Sequence, residues 1–493
     1  MKLEQLFEGI PTVKKFNWAP HKSFGKITSD SRAVEKGDVF VACHGSRMDG
    51  HDFLTQAIYA NASVLVFENS PTFVIPPAVT GVQVPNSQAA LSELLKRFYG
   101  NPDHSVKLIG VTGTNGKTTI AYLMHKLIGK TMSAAYVGTL WYELPNQKIA
   151  AVNTTPGAEV LIPLLNDMRK ADVRYCVMEA SSHALDQRRI HGLEFELALF
   201  TQLTQDHLDY HKNLENYFLA KRQLFSVSPR PKHSLINKDW PYGRRLLAEF
   251  PETKSYSLEG DADYSARDIQ ISFQGSQFNL CYRGRKIPFN IRLPMRHNVA
   301  NLLCVLGGLD LLGFDPEDYR DVLREIPGIP GRLERVGQSG DVDVFVDYAH
   351  TPDAFERVLS ESRQLATNKI ITVFGCGGDR DKEKRPLMTR SAARYSDIAI
   401  LTTDNPRSED PDAILKDMKK GLPKEESSCR IVEDLDRESA IQKAISLAEP
   451  GDIVMILGKG HEDYQILGDR KIPFDDRQVA RDALKRKTRV FSS

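Results

Sequence analysis

The chain has no CxxC pair. Its six cysteines, Cys43, Cys176, Cys281, Cys304, Cys376 and Cys429, stand far apart, which argues against a structural zinc site or a disulfide framework and fits a reducing cytoplasm. It has no run of about 18 apolar residues, and its opening MKLEQLFEGIPTVKKFNW lacks the unbroken apolar core of a secretory signal, so neither membrane insertion nor export is expected. It has almost no net charge: 65 basic residues against 64 acidic ones leave a formal +1. No overall field therefore holds it on nucleic acid or an anionic membrane, and an anionic ligand must be caught locally. Internal repeats and low-complexity tracts are missing too, and the 26 prolines are spread along the chain, which excludes long disorder.

What remains is an ordinary globular composition, 41% hydrophobic and 26% charged, over 493 residues. That length exceeds one hydrophobic core, and at about 150 residues per domain it predicts three. Short apolar runs at 38–43 and 63–67 around a helical stretch at 53–59 predict a small α/β unit over residues 1–100, ending at Tyr99-Gly100-Asn101-Pro102. A second unit, 101–332, opens with an apolar run at 106–111, a Gly/Thr loop and a helical pattern at 118–128. Further runs at 175–178, 197–203 and 234–236 predict a mostly parallel sheet with crossover helices. In 333–493, runs at 342–346, 370–374, 398–401 and 453–457, separated by helices such as 352–365 and 440–448, predict a Rossmann-like third domain.

The strongest chemical signal is Gly110-Val-Thr-Gly113-Thr114-Asn115-Gly116-Lys117-Thr118-Thr119, between a predicted strand and a predicted helix. Glycines let the backbone wrap a phosphate and the helix N-terminus adds partial positive charge. Lys117 reaches the outer phosphates, and a threonine hydroxyl can ligate Mg2+. Val111 occupies the place of the first glycine of the strict pattern. Two candidate metal ligands, Glu179 and His207, follow successive predicted strands, whose C-terminal ends face the phosphate loop in a parallel sheet. A glutamate oxygen suits Mg2+; a lone histidine is an unusual partner for it. Lys221, on a predicted amphipathic helix, reads by itself as a solvated surface lysine.

The segments GTNGKTT, EASSHALDQRR, DHLDYH, YFLAKRQLF, HNVANLL, GRLE, DYAHTPDA, GCGGDRDKEKRP, DNPRSEDP and GKGHEDYQ occur here in one order. Together they resemble the Mur ligases over nearly the whole chain, from Ser29 to Gln465. The phosphate loop is shared with folylpolyglutamate synthetase, whereas DNPR and GKGHEDYQ are much narrower. The resemblance implies three domains in the order derived above, binding the UDP-precursor, ATP and the amino acid. It implies an ATP-dependent amide ligase of cytoplasmic peptidoglycan synthesis, acting as a monomer, with Mg2+ as cofactor. ATP phosphorylates the D-glutamate carboxylate of UDP-N-acetylmuramoyl-L-alanyl-D-glutamate, and the amine of meso-diaminopimelate attacks the acyl phosphate.

Carried onto this sequence, the resemblance makes Lys117, Glu179, His207 and Lys221 catalytic. It implies that Lys221 is a carbamate, N6-carboxylysine, ligating metal with Thr118, Glu179 and His207. ATP is met by Gly113 to Thr119, by Asn298 and Asn301, for which helix capping is the plainer reading, and by Arg332 with Asp347. The UDP-precursor is met by Ser29, Ser31, Ser46, Arg47, Met48, Asn153, Thr154, Thr155, Ser181, Gln187 and Arg189, with Arg188 a solvated bystander. Meso-diaminopimelate is met by Arg380, Asp404, Asn405, Pro406, Arg407, Gly458 and Glu462. Arg407 holds the distal carboxylate that L-lysine lacks, while Asp404 and Glu462 suit ammonium groups. The alternatives are the same ligation with L-lysine, a folylpolyglutamate synthetase-like ligase, and a P-loop regulatory module in which Glu179, His207 and Lys221 are incidental.

Overall fold

The computed structural model describes residues 1–45, 48–226, 228–339, 342–423 and 428–491. Among these residues the strands build three main sheets, one for each of three α/β domains. The first runs Lys14–Phe16, Thr80–Gln83, Val64–Phe67, Val39–Val41, Ile27–Thr28, all parallel except the Lys14–Phe16 edge. Val39–Val41 and Val64–Phe67 are buried at every position, as continuous apolar runs in a sheet covered on both faces should be.

The central sheet is parallel from Tyr264–Ser272 through Lys254–Ser257, His233–Asn237, Phe195–Phe200, Lys107–Thr112 and Tyr175–Glu179 to Ala134–Val137. Antiparallel ribbons extend it at both ends: Gly275–Tyr282 with Arg285–Ile291, and Trp141–Leu144 with Gln147–Ala150. The apolar runs do not mark these ribbons. Arg285–Ile291 buries only alternate residues, and a half-exposed strand breaks its run with polar side chains. The strand expected at 197–203 runs instead from Phe195 to Phe200. The third sheet orders Glu334–Ser339, Val342–Asp347, Ile453–Leu457, Ile370–Phe374, Ile398–Leu401 and Arg430–Glu433, parallel except at the Glu334–Ser339 edge. No helix among the described residues is long and apolar enough to cross a membrane.

Register places the chemistry. Glu179, the last residue of its strand, pairs with Val111, so its carboxyl leaves the sheet level with the phosphate loop. Helix Lys117–Ile128 then starts at Gly116, whose φ of 88° lies in the left-handed region. A Cβ at Gly116 would stand 2.5 Å from Asn301 Oδ1, so only glycine lets helix Arg296–Leu311 approach the loop.

Candidate active site

A cavity of about 630 Å3 opens where the central and third sheets meet, lined by 114–119 of the loop, Glu179, His207, Lys221, Asn298, Asn301, Arg332 and Asp347. It gathers the expected nucleotide and metal residues, with Gly113 just behind. Lys117 Nζ rests on the carbonyls of Gly113 (3.0 Å) and Thr114 (2.8 Å), which keeps its charge over the loop. Asn298 turns back to the Pro294 carbonyl (2.8 Å) and accepts from Asn301 Nδ2 (3.3 Å), so these residues brace the helix entrance while lining the cavity. Arg332 reaches across to the Thr118 hydroxyl (3.0 Å), stacks 4.5 Å over the Tyr348 ring, and its buried Nε has no hydrogen-bond partner among the described residues. Asp347 accepts from the amides of Leu333 (2.6 Å) and Ala349 (2.7 Å), fixing the chain where the third domain begins. Asp353, on the first turn of helix Pro352–Leu365, accepts from Asn115 Nδ2 (3.3 Å) and the Thr204 hydroxyl (3.1 Å) and ties that domain to the phosphate loop.

Glu179 is fully buried and its two oxygens are oriented by four donors. Tyr136 Oη (2.8 Å) and the Thr139 amide (2.8 Å) reach Oε1; the Thr118 (2.9 Å) and Thr139 (3.1 Å) hydroxyls reach Oε2. A Cβ at Gly138 would come 2.4 Å from Oε1, so that turn also requires glycine. Lys221 is 1% exposed, contrary to the solvated reading of its helix. Its Nζ donates to the Gly113 carbonyl (2.7 Å), and burial, reinforced by the Lys117 cation, pulls its pKa well below the ordinary lysine value. His207 sits in the left-handed region (φ 53°) at the cavity lip beside Asp206 (3.4 Å). Burial draws its pKa down to about 4 against the pull of Asp206, so the imidazole is neutral with a lone pair to offer. A hard buried carboxylate, a hydroxyl, a neutral imidazole and an amine whose pKa is lowered by burial, all facing one cavity, fit a divalent cation once the amine carries a carboxylate.

Beside Glu179, the Thr155 hydroxyl donates to the Glu179 carbonyl (2.5 Å) and meets Ser181 Oγ (3.2 Å); Thr154 meets Thr139 (3.1 Å). Arg189 bonds the Thr155 carbonyl (3.0 Å) and is clamped by Gln187 Oε1 (2.6 Å from Nη2). Among the described residues Arg189 forms no ion pair, whereas Arg188 is exposed. The Asn153 carbonyl is held by Tyr142 Oη (2.6 Å). Ser29 of the first domain binds Glu159 through both amide and hydroxyl, so that domain docks on the helix that follows the 153–155 loop; Ser31 bonds Gln56 (3.3 Å). Ser46 and Arg47 lie outside the described residues, and Met48 is exposed. The nearby His44–Asp49–His51 cluster has metal-type donors, but His51 is committed at both nitrogens. Nδ1 faces Asp49 (2.6 Å), and Nε2 accepts from the Glu68 amide (2.9 Å).

The residues expected to meet the amino acid do not line the cavity. They form a second locus on loops that leave the C-terminal ends of Ile370–Phe374, Ile398–Leu401 and Ile453–Leu457. Arg407 is held at φ 54° by its amide on the Ile466 carbonyl (3.2 Å) and its carbonyl under the Gly468 amide (2.9 Å). Its Nη1 donates to the carbonyls of Gly378 (2.7 Å) and Asn405 (3.4 Å), and among the described residues it forms no ion pair, although its charge is felt by the Asp379 carboxyl. Pro406 is buried, and Arg380 is exposed, donating to the Asp379 carbonyl (3.0 Å). Asp404 and Glu462 share the buried Lys459, and Gly458 turns at φ 114° against Asp404. Sequence reasoning passed over Lys459 and Asp353, though both fall inside matched segments. It also passed over Tyr136 and Thr139, which carry no local signal, and over Arg385, whose fully buried guanidinium clamps Glu409 and Asp417 behind the DNPR loop.

A site of this construction is that of a P-loop enzyme that moves a phosphoryl group. The Mur ligase family, catalytic domain, matches residues 24–99; the Mur ligase middle domain, 111–308; and the Mur ligase, glutamate ligase domain, 331–460. The chain is 43% identical over 472 residues to a UDP-N-acetylmuramoyl-L-alanyl-D-glutamate--2,6-diaminopimelate ligase of Gloeobacter violaceus, covering 95% of this chain and 96% of the relative. A solved structure carrying the same enzyme name is 33% identical, with a TM-score of 0.72 over 99% of each chain. The MurF ligase of Thermotoga maritima in complex with ADP shares the fold, with 17% identity and a TM-score of 0.59 over 94% of this chain and 98% of that one. The chain belongs to the Mur ligase family, and it is an ATP-dependent ligase.

Proposed function

We propose that the protein joins meso-diaminopimelate to UDP-N-acetylmuramoyl-L-alanyl-D-glutamate in the cytoplasm, supplying the peptidoglycan precursor on which cell wall, cell shape and division depend. Residues 1–100 take the UDP end, 101–332 hold ATP and perform the chemistry, and 333–493 present the amino acid. The observation that carries this reading is the presence, in one chain with the phosphate loop, of a guanidinium, Arg407, that forms no ion pair among the described residues.

The D-glutamate carboxylate attacks the γ-phosphorus, the bond to the ADP oxygen breaks, and an acyl phosphate forms. The diaminopimelate amine then attacks the acyl carbon, phosphate leaves, and the amine loses a proton as the amide forms. Lys117 and the loop amides stabilise charge on the transferring oxygens, and Arg332 carries a second cation to the Thr118 side of the loop. Arg189, clamped by Gln187, is placed for an acidic group of the precursor, beside Thr154, Thr155 and Ser181. Glu179, Thr118, His207 and carbamylated Lys221 would hold Mg2+, which supplies charge neutralisation on the phosphates when bound. The uncharged Lys221 amine is the form that adds CO2, and the product replaces an ammonium, which cannot ligate metal, with carboxylate-like oxygens.

The reading predicts that purified protein with ATP forms an amide from the UDP-dipeptide and not from folate; nucleotide hydrolysis without amide formation contradicts it. Intact mass of the Lys221 region should show one added CO2. Lys221→Ala should be nearly inactive and should regain part of its activity with a small added carboxylate. An unmodified, dispensable Lys221 overturns the carbamate.

A further inference from the structure

Lys459 is a cation with no access to solvent, and it stands where the two amino-acid loops cross. Its Nζ lies 3.1 Å from Glu462 Oε2, 3.2 Å from Asn405 Oδ1 and 3.5 Å from Asp404 Oδ1. The same atoms are cross-braced: Asn405 Nδ2 donates to Glu462 Oε2 (2.9 Å), and Asn405 Oδ1 also accepts from the Ile466 amide (2.9 Å). Gln465 closes the ring through the Thr403 hydroxyl (2.9 Å) and the Asp404 carbonyl (2.7 Å).

Among the described residues Lys459 is the cation that pairs with Asp404 and with Glu462, and the neighbouring buried Arg437 is matched by its own carboxylate, Asp476. Two carboxylates against one ammonium leave the cluster a single negative charge, a few residues from Arg407, which forms no ion pair among the described residues. A zwitterionic carbon, one ammonium beside one carboxylate, is the complement of that pattern. Burying an ammonium is costly, and an apolar side chain of the same length would bridge the loops with less desolvation. The charge itself is therefore what Lys459 contributes beyond packing.

We infer that Lys459 is a positioning residue of the amino-acid site. Its buried ammonium draws Asp404, Asn405 and Glu462 onto one point and sets the charge that these loops offer to the ammonium of diaminopimelate. This rests on the amino-acid assignment proposed above. Lys459 does not touch substrate; it acts through the three residues it gathers.

The test is a cycle of Lys459→Met, Asp404→Asn and the double variant, each measured for the KM of meso-diaminopimelate and, separately, of ATP. Lys459→Met should raise the meso-diaminopimelate KM about thirtyfold or more and leave the ATP KM nearly unchanged, because the phosphate loop is a separate locus. Asp404→Asn, close in shape, should also raise the meso-diaminopimelate KM by neutralising the cluster. The double variant restores one net negative charge and should recover most of the Lys459→Met loss. A double variant no better than Lys459→Met, or an ATP KM that rises in parallel, means a structural wedge and overturns the inference. So does an unchanged meso-diaminopimelate KM in Asp404→Asn, which decides the matter even if Lys459→Met does not fold. Failure of the unmutated protein to use meso-diaminopimelate overturns the amino-acid assignment instead.

Discussion

Lys117→Ala is expected to lower ligation by about three orders of magnitude or more while leaving the protein folded. The ammonium lies on the carbonyls of Gly113 and Thr114, over the loop that wraps the phosphates, and helix Lys117–Ile128 is anchored independently by buried Ile120, Leu123, Met124 and Leu127. Removing the side chain takes away charge stabilisation of the transferring oxygens without opening the core. Steady-state rates with unchanged far-UV circular dichroism and melting temperature check this. Near-normal turnover would remove the phosphate loop from the mechanism.

Arg407→Ala should abolish most use of meso-diaminopimelate while leaving the ATP KM close to its starting value. A planar guanidinium holds a carboxylate in two parallel hydrogen bonds, and here the loop fixes that plane in advance by anchoring Nη1 on Gly378 and Asn405. L-lysine has a hydrogen where meso-diaminopimelate has its distal carboxylate, so it leaves the cation unpaired, which supports discrimination of roughly a hundredfold or more in kcat/KM. Arg407→Ala should shrink that ratio chiefly by weakening meso-diaminopimelate. Equal losses for both amino acids would assign Arg407 to loop structure.

Much of this architecture is legible in the residues because buried parallel strands are continuous apolar runs. Ile370–Phe374 and Ile453–Leu457 coincide with their runs from end to end. The antiparallel ribbons were hidden because one face is wet. The phosphate loop is a local signal, since its glycines, lysine and helix start are contiguous in sequence. The burial of Lys221 was readable in retrospect: it lies four residues after Tyr217 and three before Leu224, inside the apolar stripe, and its charge obscured the spacing. Tyr136 and Thr139 could not be found this way. They reach Glu179 only because Ala134–Val137 lies beside Tyr175–Glu179 in the sheet. Lys459 and Asp353 stood in matched segments, but their partners lie on other loops, and only the fold reveals what they join.

The most direct measurement offers the unmutated protein ATP, Mg2+ and UDP-N-acetylmuramoyl-L-alanyl-D-glutamate with meso-diaminopimelate and L-lysine in equal amounts, and identifies the tripeptide product by mass. The account predicts the meso-diaminopimelate product in excess by roughly a hundredfold or more, with ADP and phosphate released in step. Equal or greater incorporation of L-lysine would contradict it.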